Sequence, residues 1–244
     1  EEDGHGVTVG FAMTYDLGRM GAAFGISGAL YRRRETGEGE YIDLGMLDAA
    51  LPWLSKQAGK VFAGESPSRM GTKDPVLAPY QTFPTADGYI NVAALNEKLW
   101  SGFCEAIERP DLKDDERFAT NSDRVDNMDE LEEIISDALC ERSTDEWMTR
   151  IVDEAGVPAA PVLDVEDALY NEQTEARDVM KTLEHPEHGE VPVIEHPLNF
   201  ENADSGFETP APQLGEHNRN VFEEIGYDED DIQRLEEQGV FGDE

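Results

Sequence analysis

The sequence predicts a mixed α/β protein in which helices outnumber strands. Three observations carry this expectation. Long stretches set apolar residues at helical spacing, two short alternating pairs meet at turn signals, and caps or breakers stand between them. At 244 residues the chain is long enough for one large domain or two small ones.

Residues 16–33 read as the first helix, with Arg32, Arg33 and Arg34 at its negative C-terminal end. Gly37 and Gly39 make a turn, and residues 40–44 alternate as a strand. Residues 46–61 read as a second helix. Residues 64–79 carry three prolines and form a linker. Residues 81–83 and 89–93 are short strands joined through Asp87-Gly88, a hairpin signal. Asn96 caps a helix whose Leu99, Trp100, Phe103 and Ile107 share one face. Helices follow near 121–126 and 128–140. Ser143 and Glu146 form a capping box for the next helix, which Gly156 ends. Residues 157–162 are extended, and Asp164 caps a helix reaching about Asp178. A second hairpin turns at His188-Gly189 between residues 180–184 and 190–194. Short helices at about 216–225 and 228–238 come last.

Aspartate and glutamate number 55 against 19 lysine and arginine, a net charge of -36. Nucleic acid and anionic membranes repel such a chain and are excluded as partners. An acidic excess with only six lysines reads as adaptation to a salty cytoplasm, where a Debye length of about 3 Å screens self-repulsion. Cys104 and Cys140 have no metal-ligand spacing and are expected as buried free thiols in amphipathic helices. The apolar stretch Met20 to Tyr31 is too short to span a bilayer, and no signal peptide is visible. The chain starts without methionine and reads as the rear part of something longer. Three of the five histidines (His5, His185, His188, His196, His217) lie within twelve residues, but no metal-ligand motif accompanies them, so no metal is expected.

Asp16 is the most informative residue. Gly18, Gly21, Gly25 and Gly28 follow it at spacings of three and four, on one helical face. Each glycine inside a helix costs roughly 0.5–1 kcal/mol relative to alanine. A helix that keeps four is built for close approach to its backbone. A carboxylate in its first turn sits in the positive end of the helix dipole, available as a nucleophile. The spacing is equally compatible with Asp16 as an ordinary N-cap.

Taken together, several motifs resemble the class III CoA-transferase family (the CaiB/BaiF type), the group of formyl-CoA transferase, carnitine CoA-transferase and α-methylacyl-CoA racemase. They are Asp16-Leu-Gly with Gly28-Ala-Leu-Tyr-Arg32, the run Arg34–Ala49, Leu77-Ala-Pro-Tyr-Gln-Thr-Phe83 with Asp87-Gly88, Arg117-Phe-Ala-Thr-Asn121, Ala155–Val162 and Leu214-Gly-Glu-His217. The resemblance runs nearly the whole length and implies the family's C-terminal portion.

It implies part of a Rossmann-like large domain plus a small α+β domain, in an interlocked homodimer. Residues 1–65 would be the large-domain part carrying Asp16, 66–79 a linker, 80–194 the small domain and 195–244 the return segment to the large domain. It implies Asp16 as the catalytic nucleophile, with Gly18 and Asn96 at the bound CoA ester. Coenzyme A and acyl-CoA enter as substrates beside a small carboxylic acid, with no covalently bound cofactor. Racemases of the family carry a glutamate near the position of Asn96. An amide does not relay a proton as a carboxylate does, which favours transfer over racemisation. A non-catalytic fragment or subunit that needs an N-terminal partner is the competing expectation.

Overall fold

The computed structural model describes residues 10–203 and 206–241, which form two compact units, one up to Val162 and one from Leu163 onward. The four-part division expected from sequence is a different cut and is taken up as a proposal below.

In the first unit, α1 (Met13–Thr36) is longer than expected at both ends. It stops at Gly37, whose φ of 77° is open to glycine and whose N–H donates to the Arg33 carbonyl at 2.8 Å. Residues 40–44 are extended but pair with no strand among the described residues. Their alternation serves packing instead. Leu44 and Ile42 lie over Gly21 and Gly25 of α1, where an added Cβ would meet Leu44 Cδ2 at 3.4 Å and Ile42 Cδ1 at 3.7 Å. The expected helix over 46–61 is broken into α2 (Met46–Ala50), a 3₁₀ turn (Leu51–Leu54) and α3 (Ser55–Phe62). Pro52 is the reason, since it lacks the N–H that a continuous helix needs.

Strands β1 (Tyr80–Pro84), β2 (Tyr89–Ala93) and β3 (Ala159–Pro161) form an antiparallel sheet in that order, with Gln81 opposite Val92 and Asn91 opposite Ala160. The Asp87 carboxylate in the first turn accepts from the Thr144 N–H (2.8 Å) and Oγ1 (2.9 Å), tying the hairpin to α7 (Thr144–Met148). One face of the sheet lies in a core with α4 (Glu97–Ala106), α6 (Met128–Leu139) and α7, where Phe83, Ile90, Phe103, Phe118, Ile135 and Trp147 are buried. The short α5 (Asn121–Asp126) opens on a capping box of Thr120 and Asp123. The expected Ser143–Glu146 box is also present.

Cys104 is buried, and burial pushes its thiol up to about 12. Cys140 is exposed, correcting the expectation of burial, because it falls just past the last turn of α6. Both are free.

In the second unit the helix expected over 164–178 is two, α8 (Val165–Leu169) and α9 (Glu172–Ala176). Asn171 restarts the chain by accepting from the Gln173 and Thr174 N–H groups. Strands β4 (Met180–His185) and β5 (Gly189–Ile194) form the second hairpin, and α10 (Asn218–Glu224) and α11 (Glu229–Glu237) follow. Every strand pair among the described residues is antiparallel. No helix among them is long and apolar enough to cross a membrane.

Candidate active site

Asp16 lies inside the first turn of α1, and the N-cap reading is thereby corrected. Ala12 is the N-cap, without a side-chain cap bond, and the Asp16 N–H already donates to the Ala12 carbonyl at 3.0 Å. The Asp16 side chain, 45% exposed, is therefore free of capping duty. Its Oδ1 accepts from Arg19 Nη1 at 3.2 Å, and Arg19 in turn stacks over the Tyr15 ring at 4.2 Å. Among the described residues nothing bonds Oδ2. Arg19 was missed in sequence, although its i+3 spacing from an acidic residue was the available signal.

Gly18 lies half a turn further on. A Cβ built there meets nothing within 4 Å, and the same holds at Gly28, so the glycine face is bare at both ends and covered by Leu44 and Ile42 between them. The first turn thus presents a carboxylate oxygen to solvent, while its Met13, Tyr15 and Asp16 N–H groups are already taken by the Phe11 and Ala12 carbonyls.

Asn96 is the N-cap of α4, as the spacing predicts. Its Oδ1 accepts from the Leu99 N–H at 3.0 Å, which leaves the amide nitrogen as a donor. No hydrogen bond or ion pair among the described residues joins Asn96 to Asp16 or Gly18. Two clefts flank the 66–79 segment. One, of about 800 Å³, lies against α5 and α6; the other, of about 390 Å³, is lined by Trp53, Lys56, Asp74, Tyr80 and Asn91. In the smaller cleft the Asp74 carboxylate, 2.6 Å from Lys56 Nζ, holds that ammonium above its ordinary value. None of the three expected site residues lines either cleft.

His5 lies outside the described residues. His185 and His188 stack at 4.5 Å, with the N–H groups of Glu187 and His188 donating to His185 Nδ1, so that pair organises its hairpin turn. Among the described residues no group of three or more His, Cys, Asp or Glu side chains is arranged to hold a metal ion.

The chain belongs to CoA-transferase family III, whose family model matches residues 1–218. Among its relatives is the succinyl-CoA:glutarate CoA-transferase of Mus musculus, 32% identical over 98% of this chain and 55% of the relative. The succinyl-CoA:mesaconate CoA-transferase of Haloarcula hispanica is 31% identical over 84% of this chain and 51% of the relative. A crystal structure of a CaiB/BaiF family protein from Brucella suis matches with a TM-score of 0.76 at 31% identity, covering 92% of this chain and 58% of that one. The chain therefore spans about half the length of the curated relatives it matches.

Proposed function

We propose that this chain carries the nucleophile of a CoA-transferase that moves CoA from an acyl-CoA to a free carboxylate. The observation that carries the reading is Asp16: one oxygen is held by Arg19, the other bonds nothing among the described residues, and the side chain is exposed in the first turn of a helix whose main chain is bare at Gly18. The free oxygen attacks the thioester carbonyl. The C–S bond breaks, and an aspartyl-acyl anhydride and CoA thiolate form. The thiolate attacks the aspartyl carbonyl and expels the acyl carboxylate, leaving an aspartyl-CoA thioester. The acceptor carboxylate then attacks that carbonyl and releases thiolate, which takes the acceptor's acyl carbon and returns Asp16 as a carboxylate. Covalent catalysis divides one hard exchange into easier ones.

The names of the relatives support a small dicarboxylate as one partner in the exchange. Racemisation is disfavoured because Asn96 has no acidic proton and its oxygen is occupied by the helix cap.

The domain reading is the family's: residues 1–65 and 195–244 in a Rossmann-like large domain, 80–194 in a small one, in a homodimer. A second reading, a subunit that needs further polypeptide before it works, is favoured by one observation: no residue from Gly10 to Phe62 is buried. Two free thiols support a reducing cytoplasm, and the charge of -36 supports a salty one. Unfolding as cooperative and as stable in low salt as in molar KCl would remove the salt reading.

Asp16→Ala lowers exchange by several orders of magnitude, and hydroxylamine traps the activated carboxyl at Asp16 in the wild type. Exchange that survives in the alanine variant refutes the nucleophile. A chain that neither exchanges nor gains melting temperature with CoA supports the subunit reading, because specific binding stabilises the folded state.

A further inference from the structure

Arg124 is a fully buried arginine, 0% exposed. Its fork meets three separate segments. Nε donates to the Ala78 carbonyl at 2.7 Å, and Nη1 to the Phe118 carbonyl at 3.1 Å. Nη1 and Nη2 together hold the Glu97 carboxylate, at 3.1 and 2.8 Å. The guanidinium lies over the Trp100 ring at 4.9 Å. One helical turn earlier, Asn121 Nδ2 donates to the Val76 carbonyl at 2.8 Å, while its Oδ1 accepts from the Ala78 N–H at 3.1 Å. Asp74 accepts from the Val76 and Leu77 N–H groups, and the Ala94 N–H donates to the Pro79 carbonyl. The 74–79 loop, the Phe118 carbonyl and the start of α4 thus converge on one side chain, and the Pro79 carbonyl ties that loop to Ala94 just past β2.

Glu97 directly follows Asn96, and 61% of its side chain is exposed. With Arg124 buried and Glu97 open to solvent, the charge attraction is screened and adds little net stability. What a planar, bidentate fork supplies is geometry, which a lysine does not reproduce. The object held in place is the first turn of α4, where the Asn96 amide nitrogen has no hydrogen-bond partner among the described residues.

We propose that Arg124 is a positioning residue: by clamping Glu97 and the 74–79 loop it fixes the Asn96 amide nitrogen as a donor to an oxygen of the acyl group. This rests on the reading of Asn96 as part of the acyl-CoA site. It does not rest on Asp16 as the nucleophile.

The test has two arms on the 244-residue chain. In hydrogen exchange, Glu97→Gln and Arg124→Lys speed exchange at the Leu77, Ala78 and Leu99 amides and leave Ile135 in α6 unchanged. Unchanged protection at Leu77, Ala78 and Leu99 overturns the clamp. In the second arm, Asn96→Ala, Glu97→Gln and their double variant are compared in kcat/KM with succinyl-CoA and glutarate, or, in a chain without turnover, in the melting-temperature shift given by succinyl-CoA. Each single variant loses about 10- to 100-fold, as displacement by an ångström does. The double variant stays within about twofold of Asn96→Ala, because both act through one group. Arg124→Lys, which keeps the charge, fails to restore the wild-type value. Additive losses, an unaffected Asn96→Ala or a fully active Arg124→Lys overturn the proposal. Exchange retained in Asp16→Ala beside a non-additive cycle sinks the nucleophile and leaves this inference standing.

Discussion

Residues 10–62 and residues 78–157 belong to one compact unit yet treat their apolar side chains in opposite ways. The second stretch buries Phe83, Ile90, Trp100, Phe103, Phe118 and Trp147. In the first nothing is buried, and Phe24 (85% exposed), Trp53 (69%) and Phe62 (87%) face outward. Charge divides along the same line. Residues 10–62 carry six acidic and six basic side chains, whereas residues 63–244 carry 46 and 13. The acidic excess is therefore absent from the segment that bears Asp16. Large apolar side chains left this open in number are uncommon on the surface of a monomer. Balanced charge and exposed aromatics are what the proposed large domain and dimer would cover.

The widest test of the contrast exchanges a tryptophan in each region. Trp147 is buried, and its Nε1 donates to the Leu139 carbonyl at 2.7 Å. Trp147→Ala should cost about 3–5 kcal/mol from the cavity and the lost contacts, read in urea unfolding. Trp53→Ala should stay within about 0.5 kcal/mol in the same measurement. Equal losses would mean that residues 10–62 already hold a core, and the comparison fails. In the presence of polypeptide that covers the segment, Trp53→Ala should become the costlier change for association, because buried tryptophans dominate interfaces.

The 78–157 region was also the more legible in sequence, for a physical reason. Its signals are local: Asp87-Gly88 turns the hairpin, Asn96 bonds the Leu99 N–H, and Thr120 and Ser143 open capping boxes. Each is decided within four residues of chain. In residues 10–62 the local signals mislead. Asp16 looks like a cap, but Ala12, which offers no side-chain oxygen, starts the helix. The alternation at 40–44 looks like a strand and instead lays Ile42 and Leu44 on glycines. Arg124 gave no signal at all. Its burial depends on carbonyls 46 and 6 residues away and a carboxylate 27 away, which only the closed fold brings together.

A smaller effect separates the regions by pH. Asp115 accepts from the Arg117 guanidinium and from its N–H, which holds the carboxyl at about 2 against an ordinary 3.8. The folded value is depressed, so the contribution is complete above pH 3.8 and is lost as pH falls through about 2. Asp115→Asn should flatten the acid limb of the stability curve over that window and leave the neutral plateau lower. An unchanged acid limb would show that Asp115 contributes nothing to the pH dependence of the folded state.

The smallest change tests why α1 keeps its glycines. Gly18 and Gly28 stand ten residues apart, about 15 Å along the helix, and an added Cβ meets nothing at either. Each sits in a helix with ordinary backbone angles. In this chain, alanine at either position should therefore raise helix stability by about 0.5–1 kcal/mol. The two variants part in function. Gly18 lies two residues beyond the carboxylate, where a thioester must reach the main chain, and a methyl there should reduce exchange while the protein becomes more stable. Gly28 is remote from Asp16, and its alanine variant should gain stability without that loss. If Gly18→Ala keeps full exchange, the bare main chain at Gly18 has no part in the chemistry. If both variants lose stability, α1 is packed at Gly18 and Gly28, and residues 10–62 are not an open surface.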